Sequence, residues 1–235
     1  MKERIWELDF IRGILLLLMF YCHFVYDIVE LFALNVPADG AFYDWAMDHT
    51  GLFFILLSGV SITLGRRPVR RAVKVLLGGF ACSLVTAFMY LFNFAPKGII
   101  IYFGILHSLA VCMLLWPLFR KLPFWALLLC GGALLWLNFL IQPYQGQGNF
   151  LTMPLGIYHA SFYSSDYFPL LPNLGYFLIG SGLGKVLYRK KESLLPATTR
   201  FPAPQLCFLG RHSLLVYLLH QPVIAGLVYL LSLVI

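Results

Sequence analysis

The sequence predicts an all-α membrane protein with about seven transmembrane helices, and three observations support this fold class. Of the 235 residues, 60% are hydrophobic and only 11% are charged, whereas an average soluble domain carries about a quarter charged residues. The mean hydropathy is +0.82, and a soluble chain of this length cannot bury so much apolar surface. Apolar runs of about 20 residues, the length that crosses a bilayer, recur along the chain.

The apolar runs are predicted to be separate membrane-spanning helices. The first run is too long for the core of a signal peptide and lacks a small-residue cleavage site, so it is predicted to be a retained span. No internal repeat or second domain stands out, so residues 1–235 are predicted to form a single transmembrane domain. The predicted spans are 10–33, 46–65, 72–92, 99–119, 123–141, 169–188 and 207–233.

The basic residues predict the orientation in the membrane. Of the 17 Lys and Arg residues, 16 lie in the N-terminal segment, in the second, fourth and sixth connections, or at the span ends that adjoin them, and only Lys97 lies on the other side. By the positive-inside rule these segments are cytoplasmic, so the N-terminus is predicted inside and the C-terminus outside. The same distribution explains the net charge of +7 without a nucleic-acid partner.

The fifth connection, residues 142–168, is the longest predicted outside segment. It contains no Lys or Arg and is rich in Gln, Asn, Ser, Tyr and Gly. Long connections in compact proteins are often functional. Amides and tyrosines suit a neutral polar ligand such as a sugar, and the alternative is a solvated or interfacial loop.

The first predicted span carries three ionisable residues, His23, Asp27 and Glu30. Such groups are costly at bilayer depth and usually face the bundle interior or a water-filled cavity. If Arg12 lies near the cytoplasmic boundary, His23 lies about 16 Å further along the helix axis, near mid-membrane. Asp27 and Glu30 follow at i+4 and i+7, which places all three residues on one helical face.

A histidine near a carboxylate favours acid–base chemistry. The carboxylate holds the imidazole in one tautomer and makes it more basic, which is the arrangement of a general base in acyl transfer. We therefore predict that His23, assisted by Asp27, is catalytic. The alternatives are a buried structural histidine and a proton-transport relay.

Three further histidines are candidates for the same site. His107 and His220 lie within predicted spans, where each could line the same cavity or form a helix-to-helix hydrogen bond. His49 follows Asp48 at the outer end of the second span, where it could meet an external acceptor. No H-x-x-x-H or H-E-x-x-H spacing is present, so no metal site is predicted.

The second connection carries four arginines, Arg66, Arg67, Arg70 and Arg71. Arginine binds phosphate through two parallel hydrogen bonds, and a cytoplasmic acyl-coenzyme A donor carries phosphates. The alternative is that these residues set the topology and contact lipid headgroups.

Four segments occur in order along nearly the whole chain: LDFIRGILLLLMFYCH, LFFILLSGVSITLGRR, DYFPLLPNLGYFLIGSGLG and LGRHSLLVYLLHQPV. Together they resemble bacterial members of the heparan-α-glucosaminide N-acetyltransferase-like family. Arg12 and His23, with ten residues between them, also resemble the signature of inner-membrane O-acyltransferases, a related group. One departure from the family concerns the connection after the first span, where the lysosomal enzyme of the family has its proposed active histidine. Here Pro37, Ala38 and Asp39 occupy the comparable stretch, and only His49 could substitute.

The resemblance implies an acyltransferase in the bacterial cytoplasmic membrane. It would move an acyl group, acetyl above all, from cytoplasmic acyl-coenzyme A to a hydroxyl or amine of an envelope glycan or other small polar acceptor. Membrane lipid surrounds such a protein, and an oligomer is possible. The alternative function is a small proton-coupled transporter that uses the intramembrane histidines and carboxylates as a relay, although a plan of seven spans without a repeat weighs against it.

These arguments predict two sets of site residues. The predicted catalytic residues are His23, Asp27, His49 and His220. The predicted donor-binding residues are Arg12, Arg66, Arg67, Arg70, Arg71 and His107.

Overall fold

A computed structural model describes residues 5–31, 40–195 and 204–233, and its regular structure is helical, with no β-strand among them. This confirms the predicted all-α class. Short 3₁₀ turns at Lys97–Ile99, Gln142–Tyr144 and Met153–Leu155 lie in the connections, and α1 runs into a π-helical turn at Asp27–Leu31. The α-helices are α1 (Trp6–Tyr26), α2 (Ala41–Ile62), α3 (Pro68–Leu91), α4 (Ile105–Phe119), α5 (Phe124–Ile141), α6 (Leu170–Leu187), α7 (Pro204–Arg211) and α8 (Ser213–Ser232).

Six helices in the described part of the chain are long and apolar enough to cross a membrane, namely α1, α2, α3, α5, α6 and α8. They confirm the predicted polytopic membrane protein. The predicted orientation of the termini stays a prediction.

Two predicted spans differ from the observed helices. The fourth, 99–119, contains the 15-residue helix α4, which is about 22 Å long and therefore shorter than a hydrocarbon core of about 30 Å. Gly104, the residue before this helix, is extended, and residues 100–103 are not helical either. The seventh, 207–233, is interrupted at His212, where the chain leaves α7 and begins α8.

The chain divides into two compact units. Unit 1 comprises Met1–Phe54 and Lys190–Ile235, and unit 2 comprises Ile55–Arg189. The division falls within α2, so the first part of that helix belongs to unit 1 and its end to unit 2. The prediction of one transmembrane domain stays a prediction.

In unit 1, α1 and α7 approach so closely that both contact points require glycine. A Cβ atom added at Gly13 would collide with the backbone carbonyl of Leu206, and one added at Gly210 would collide with the backbone carbonyl of Asp9. Close approach through small residues is a common way for helices to associate in membranes. This contact holds the half of α1 that precedes His23.

Two buried acidic residues begin α1 in unit 1. The Glu7 carboxylate accepts hydrogen bonds from the Ser193 hydroxyl at 2.6 Å and the Leu194 N–H at 2.8 Å. Asp9 lies in the same first turn, where the helix macrodipole favours negative charge. These contacts tie the segment after residue 190 to the start of α1.

In unit 2, glycines of α6 allow the helices beside it to pack at backbone distance. A Cβ atom added at Gly180 would collide with the carbonyl of Leu56, and one at Gly184 would lie 2.7 Å from the carbonyl of Val60. The spacing of these two glycines predicts a close helix-packing face, and the structure confirms it.

The long connection of unit 2 is anchored to the segment that precedes α4. The hydroxyl of Ser164 donates to the Ile100 carbonyl at 2.9 Å, and that of Ser165 donates to the Ile99 carbonyl at 2.7 Å. Asp166 accepts a hydrogen bond from the Ile105 N–H at 3.2 Å, which places a carboxylate at the N-terminus of α4. The four helix ends joined by these two connections therefore lie at the same end of unit 2.

Tyr167 adds a contact within the long connection. Its hydroxyl donates to the Met153 carbonyl at 2.6 Å. Burial, reinforced by the nearby Tyr158, raises the pKa of the Tyr167 phenol, so this hydroxyl stays a donor at neutral pH.

Candidate functional site

Both helices that form the candidate site in unit 1 are locally irregular. The π-helical turn of α1 begins at Asp27, one turn after His23. Turns of this kind inside helices occur frequently at functional sites. In α8, Pro222 lies two residues after His220, and a proline within a helix removes one backbone hydrogen bond and disturbs the turn before it.

Two predicted catalytic histidines lie against each other. The ring centroids of His23 in α1 and His220 in α8 are 4.6 Å apart, with an angle of 57° between the rings. His220 is 7% exposed, and its ring also stacks on Phe20 with centroids 5.9 Å apart. The structure therefore brings together two imidazoles that are far apart in the sequence.

The hydrogen bond of His220 defines its tautomer. Its Nδ1 contacts the backbone carbonyl of Tyr217, and because a carbonyl can only accept, Nδ1 carries the proton. In the neutral ring Nε2 then holds a lone pair. This atom is buried and has no hydrogen-bond partner among the described residues. His220 therefore presents a basic nitrogen to the interior of the protein.

Asp27, one turn after His23 in the sequence, is a fully buried carboxylate. The side-chain amide of Gln221 donates to Asp27 Oδ1 at 2.8 Å and Oδ2 at 3.1 Å. These hydrogen bonds satisfy the Asp27 carboxylate, which would be costly to bury without a partner. His220 and Gln221 are consecutive, so adjacent residues of α8 contact His23 and Asp27 of α1.

The sequence predicts that Asp27 assists His23 from the same helical face, without requiring a direct hydrogen bond between them. Among the described residues no hydrogen bond joins them, because the carboxylate is bound by Gln221 instead. The side chain of Glu30 and all of Asp39 lie outside the described residues. The roles predicted for His23 and Asp27 remain predictions.

Arg12 lies at the other end of α1, in contact with α7. Its guanidinium forms an ion pair with Asp9 at 3.0 Å and donates to the Gly210 carbonyl at 3.3 Å. These contacts give Arg12 a packing role between the two helices. Its predicted binding of the donor stays a prediction.

His49 lies in the part of α2 that belongs to unit 1. Its Nδ1–H donates to the Trp45 carbonyl at 2.8 Å, and its ring stacks on the Trp45 indole at 5.4 Å. Its remaining ring contact among the described residues is Phe53. None of these contacts is with the histidine pair.

His107 lies in unit 2, in the first turn of α4. Its Nδ1 accepts a hydrogen bond from the Gly104 N–H at 3.3 Å, and its Nε2 lies 3.5 Å from the Ser83 hydroxyl of α3. Both ring nitrogens therefore face protein groups, as in the helix-to-helix hydrogen bonding considered as the alternative for this residue.

The four arginines of the second connection also belong to unit 2. All four side chains are exposed. Within the described ranges none forms an ion pair with a carboxylate. Their charge is thus available for an anion. The four residues are Arg66, Arg67, Arg70 and Arg71.

Gln221 is the residue of the site that sequence reasoning missed. An amide within an apolar span is itself a signal, because polar side chains at this depth usually bond across helices. The sequence prediction includes the neighbouring His220 and not Gln221. For metals, the described residues contain no group of three or more His, Cys, Asp or Glu that could hold an ion.

Comparison with known proteins gives one match. The family model described as heparan-alpha-glucosaminide N-acetyltransferase, catalytic, matches residues 4–222. The matched range includes the histidine pair, Asp27 and Gln221. Curated proteins and solved structures give no match.

Proposed function

The chain belongs to the heparan-alpha-glucosaminide N-acetyltransferase catalytic family, and we propose that it carries acetyl groups from acetyl-coenzyme A to an acceptor across the bacterial cytoplasmic membrane. A membrane acetyltransferase-type function follows from the family. The donor, the acceptor and the direction of transfer are the proposal. The pairing of His23 with His220, one helical turn from the buried carboxylate of Asp27 and within the matched range, is the observation that carries it.

The donor is proposed to enter from the cytoplasm. Acetyl-coenzyme A carries several phosphates, and four exposed arginines without an ion pair among the described residues supply matching charge, namely Arg66, Arg67, Arg70 and Arg71. Arg12 and His107 are the further residues proposed for donor binding. The thioester is proposed to reach mid-membrane.

His220 is the best supported general base. Its Nε2 lone pair takes the proton of the acceptor hydroxyl or amine while the oxygen or nitrogen attacks the thioester carbonyl carbon. The carbon–sulfur bond then breaks, and the coenzyme A thiolate leaves and recovers the proton from the imidazolium. His23 either stabilises this transfer or first carries the acetyl group itself, which divides the reaction into two steps. Asp27 would stabilise the positive charge that develops on the imidazole pair.

The acceptor is proposed to be a hydroxyl or amine of an envelope glycan or another small polar molecule. The connection at 142–168, which contains no Lys or Arg and is rich in amides and tyrosines, supports a neutral ligand on the outer side. His49, whose Nδ1–H is engaged by Trp45, leaves Nε2 for such a ligand.

The experiment uses the purified protein in lipid nanodiscs with acetyl-coenzyme A labelled on the acetyl group. We expect coenzyme A to bind and envelope membranes to become labelled. The variants His23→Ala and His220→Ala should lose transfer, whereas His212→Ala, which changes an exposed histidine at the start of α8, should retain it. Label retained on the protein and lost in His23→Ala would indicate an acyl-histidine intermediate. A protein that binds no coenzyme A but moves protons in proteoliposomes would overturn the proposal in favour of transport.

A further inference from the structure

The contact between Gln221 and Asp27 leaves one atom of the Gln221 amide without a partner. Nε2 faces the carboxylate, because the amide oxygen would be repelled there. Oε1 therefore points elsewhere, and it is buried with no hydrogen-bond partner among the described residues. Buried acceptors without a donor are uncommon in folded proteins, and each requires an explanation.

The preceding residue of α8, His220, also has an acceptor atom without a described partner. This atom is the buried Nε2, because Nδ1 holds the proton. Both residues contact α1, His220 through His23 and Gln221 through Asp27. This part of α8 therefore offers two vacant acceptors. A molecule that binds there has to supply N–H or O–H groups.

We propose that Gln221 is a substrate-binding residue whose Oε1 accepts a hydrogen bond from an N–H or O–H group of a bound substrate. Asp27 is then a positioning residue, since it fixes the amide so that Oε1 keeps one direction. This inference rests on the proposed acetyltransferase function and adds a ligand-binding atom to it. Two sources carry suitable donors, namely the amide N–H groups of the pantetheine arm of acetyl-coenzyme A and the polar groups of the acceptor.

Two variants separate ligand binding from the anchoring of Asp27. Gln221→Met removes both the donor Nε2 and the acceptor Oε1 and keeps the length of the side chain. Gln221→Lys keeps a donor for Asp27 and removes the acceptor. Both are purified in nanodiscs and checked for a single, monodisperse species with cooperative thermal unfolding, so that a poorly folded Met variant leaves the Lys variant to decide.

Two measurements distinguish the sources of the donor. The first is the Kd of coenzyme A, measured by calorimetry without turnover. The second is the initial rate of acetyl transfer at increasing concentrations of isolated envelope membranes, which yields an apparent KM for the acceptor. We expect a loss of about tenfold in the Lys variant, the size of one neutral hydrogen bond. A weaker Kd assigns the donor to the pantetheine arm, and a higher apparent KM with unchanged Kd assigns it to the acceptor.

The proposal is overturned if Gln221→Lys has the same Kd for coenzyme A and the same apparent KM for the acceptor as the unmodified protein. The only role of Gln221 would then be to hold Asp27. It is also overturned if Gln221→Met folds and changes neither value. Failure of the acetyltransferase function looks different. In that case the unmodified protein itself would neither bind coenzyme A nor transfer acetyl groups.

Discussion

The imidazole of His23 lies against that of His220, with ring centroids 4.6 Å apart. One residue lies on the first helix that the structure describes and the other on the last. One turn further along α1, Asp27 is bound by Gln221, the residue that follows His220. These two contacts hold α1 and α8 in one register, so each imidazole has a defined position relative to a buried carboxylate.

The first prediction concerns Nε2 of His220. His220→Asn keeps an N–H close to the position of Nδ1, where it can still donate to the Tyr217 carbonyl, and removes Nε2. Because general base catalysis typically contributes about 10²–10⁴-fold, we expect kcat for acetyl transfer to fall by about that factor. Thermal unfolding should change little, since the hydrogen bond remains. The matched control is His212→Asn, and transfer by His220→Asn at the unmodified rate would rule out His220 as the base.

The second prediction concerns the contact between α1 and α7. Gly13→Ala places a methyl group against the backbone carbonyl of Leu206. Because backbone cannot move as a side chain does, we expect the free energy of unfolding to fall by about 1–3 kcal/mol. Gly226→Ala in α8 is the control, since nothing lies within 4 Å of an added Cβ.

The control should gain up to about 1 kcal/mol, because alanine favours helix more than glycine does. Denaturant unfolding in detergent micelles measures both variants. Equal effects of the two substitutions would show that helix propensity, and not the α1–α7 contact, determines the result.

Hydropathy predicted the long helices because span length follows from bilayer thickness, which does not depend on tertiary packing. It could not predict where backbone irregularities divide an apolar run. Gly104 adopts an extended conformation and shortens the fourth predicted span to α4, and the break at His212 divides the seventh. The break at Gly104 lies in apolar sequence, so hydropathy alone gives no signal there, whereas the break at His212 follows a charged residue, Arg211.

The site was predictable to the extent that burial of ionisable groups is costly. This rule selected His23 and His220 individually, but the pairing between them depends on how α1 and α8 pack, which periodicity within one helix does not encode. It also selected Asp27 on the same helical face as His23, but it could not identify the partner of Asp27, an uncharged amide on another helix. For Arg12 and His107, the contacts to Gly210 of α7 and to Ser83 of α3 depend on the tertiary structure and could not be predicted from the sequence.

The third prediction concerns Asp166 at the N-terminus of α4. Its carboxylate accepts the Ile105 N–H, and no side chain of the preceding residue can do so because Gly104 has none. Asp166→Asn keeps an acceptor and removes the charge, so we expect a loss of about 0.3–1 kcal/mol in the free energy of unfolding. Asp166→Ala should cost more, about 1–2 kcal/mol, because the hydrogen bond is also lost.

Thermal unfolding of the two variants, beside Glu192→Gln as an exposed acidic control, measures the effect. We expect the unfolding temperature to be lowest for Asp166→Ala, intermediate for Asp166→Asn and highest for the unmodified protein. If Asp166→Ala unfolded at the same temperature as the unmodified protein, Asp166 would not be the cap of α4.

The fourth prediction concerns the four arginines between α2 and α3. If they bind the phosphates of the donor, replacing Arg66, Arg67, Arg70 and Arg71 together by Gln should raise the Kd of coenzyme A by about tenfold or more, which corresponds to about 1.4 kcal/mol. Salt screens the attraction between exposed charges. The fourfold variant lacks these charges, so its binding of coenzyme A should also be less sensitive to salt. Calorimetry at two ionic strengths measures both effects.

Two comparisons separate phosphate binding from a role in topology or lipid contact. The double variant Arg120→Gln and Lys121→Gln removes exposed charge from another connection that is predicted to be cytoplasmic, and it should leave the Kd unchanged. Coenzyme A that lacks its 3′-phosphate should bind the unmodified protein more weakly, and this difference should shrink in the fourfold variant if the arginines contact that phosphate. If the fourfold variant instead bound coenzyme A normally but no longer associated with anionic lipid, the arginines would serve the membrane surface, and the donor phosphates would require other partners.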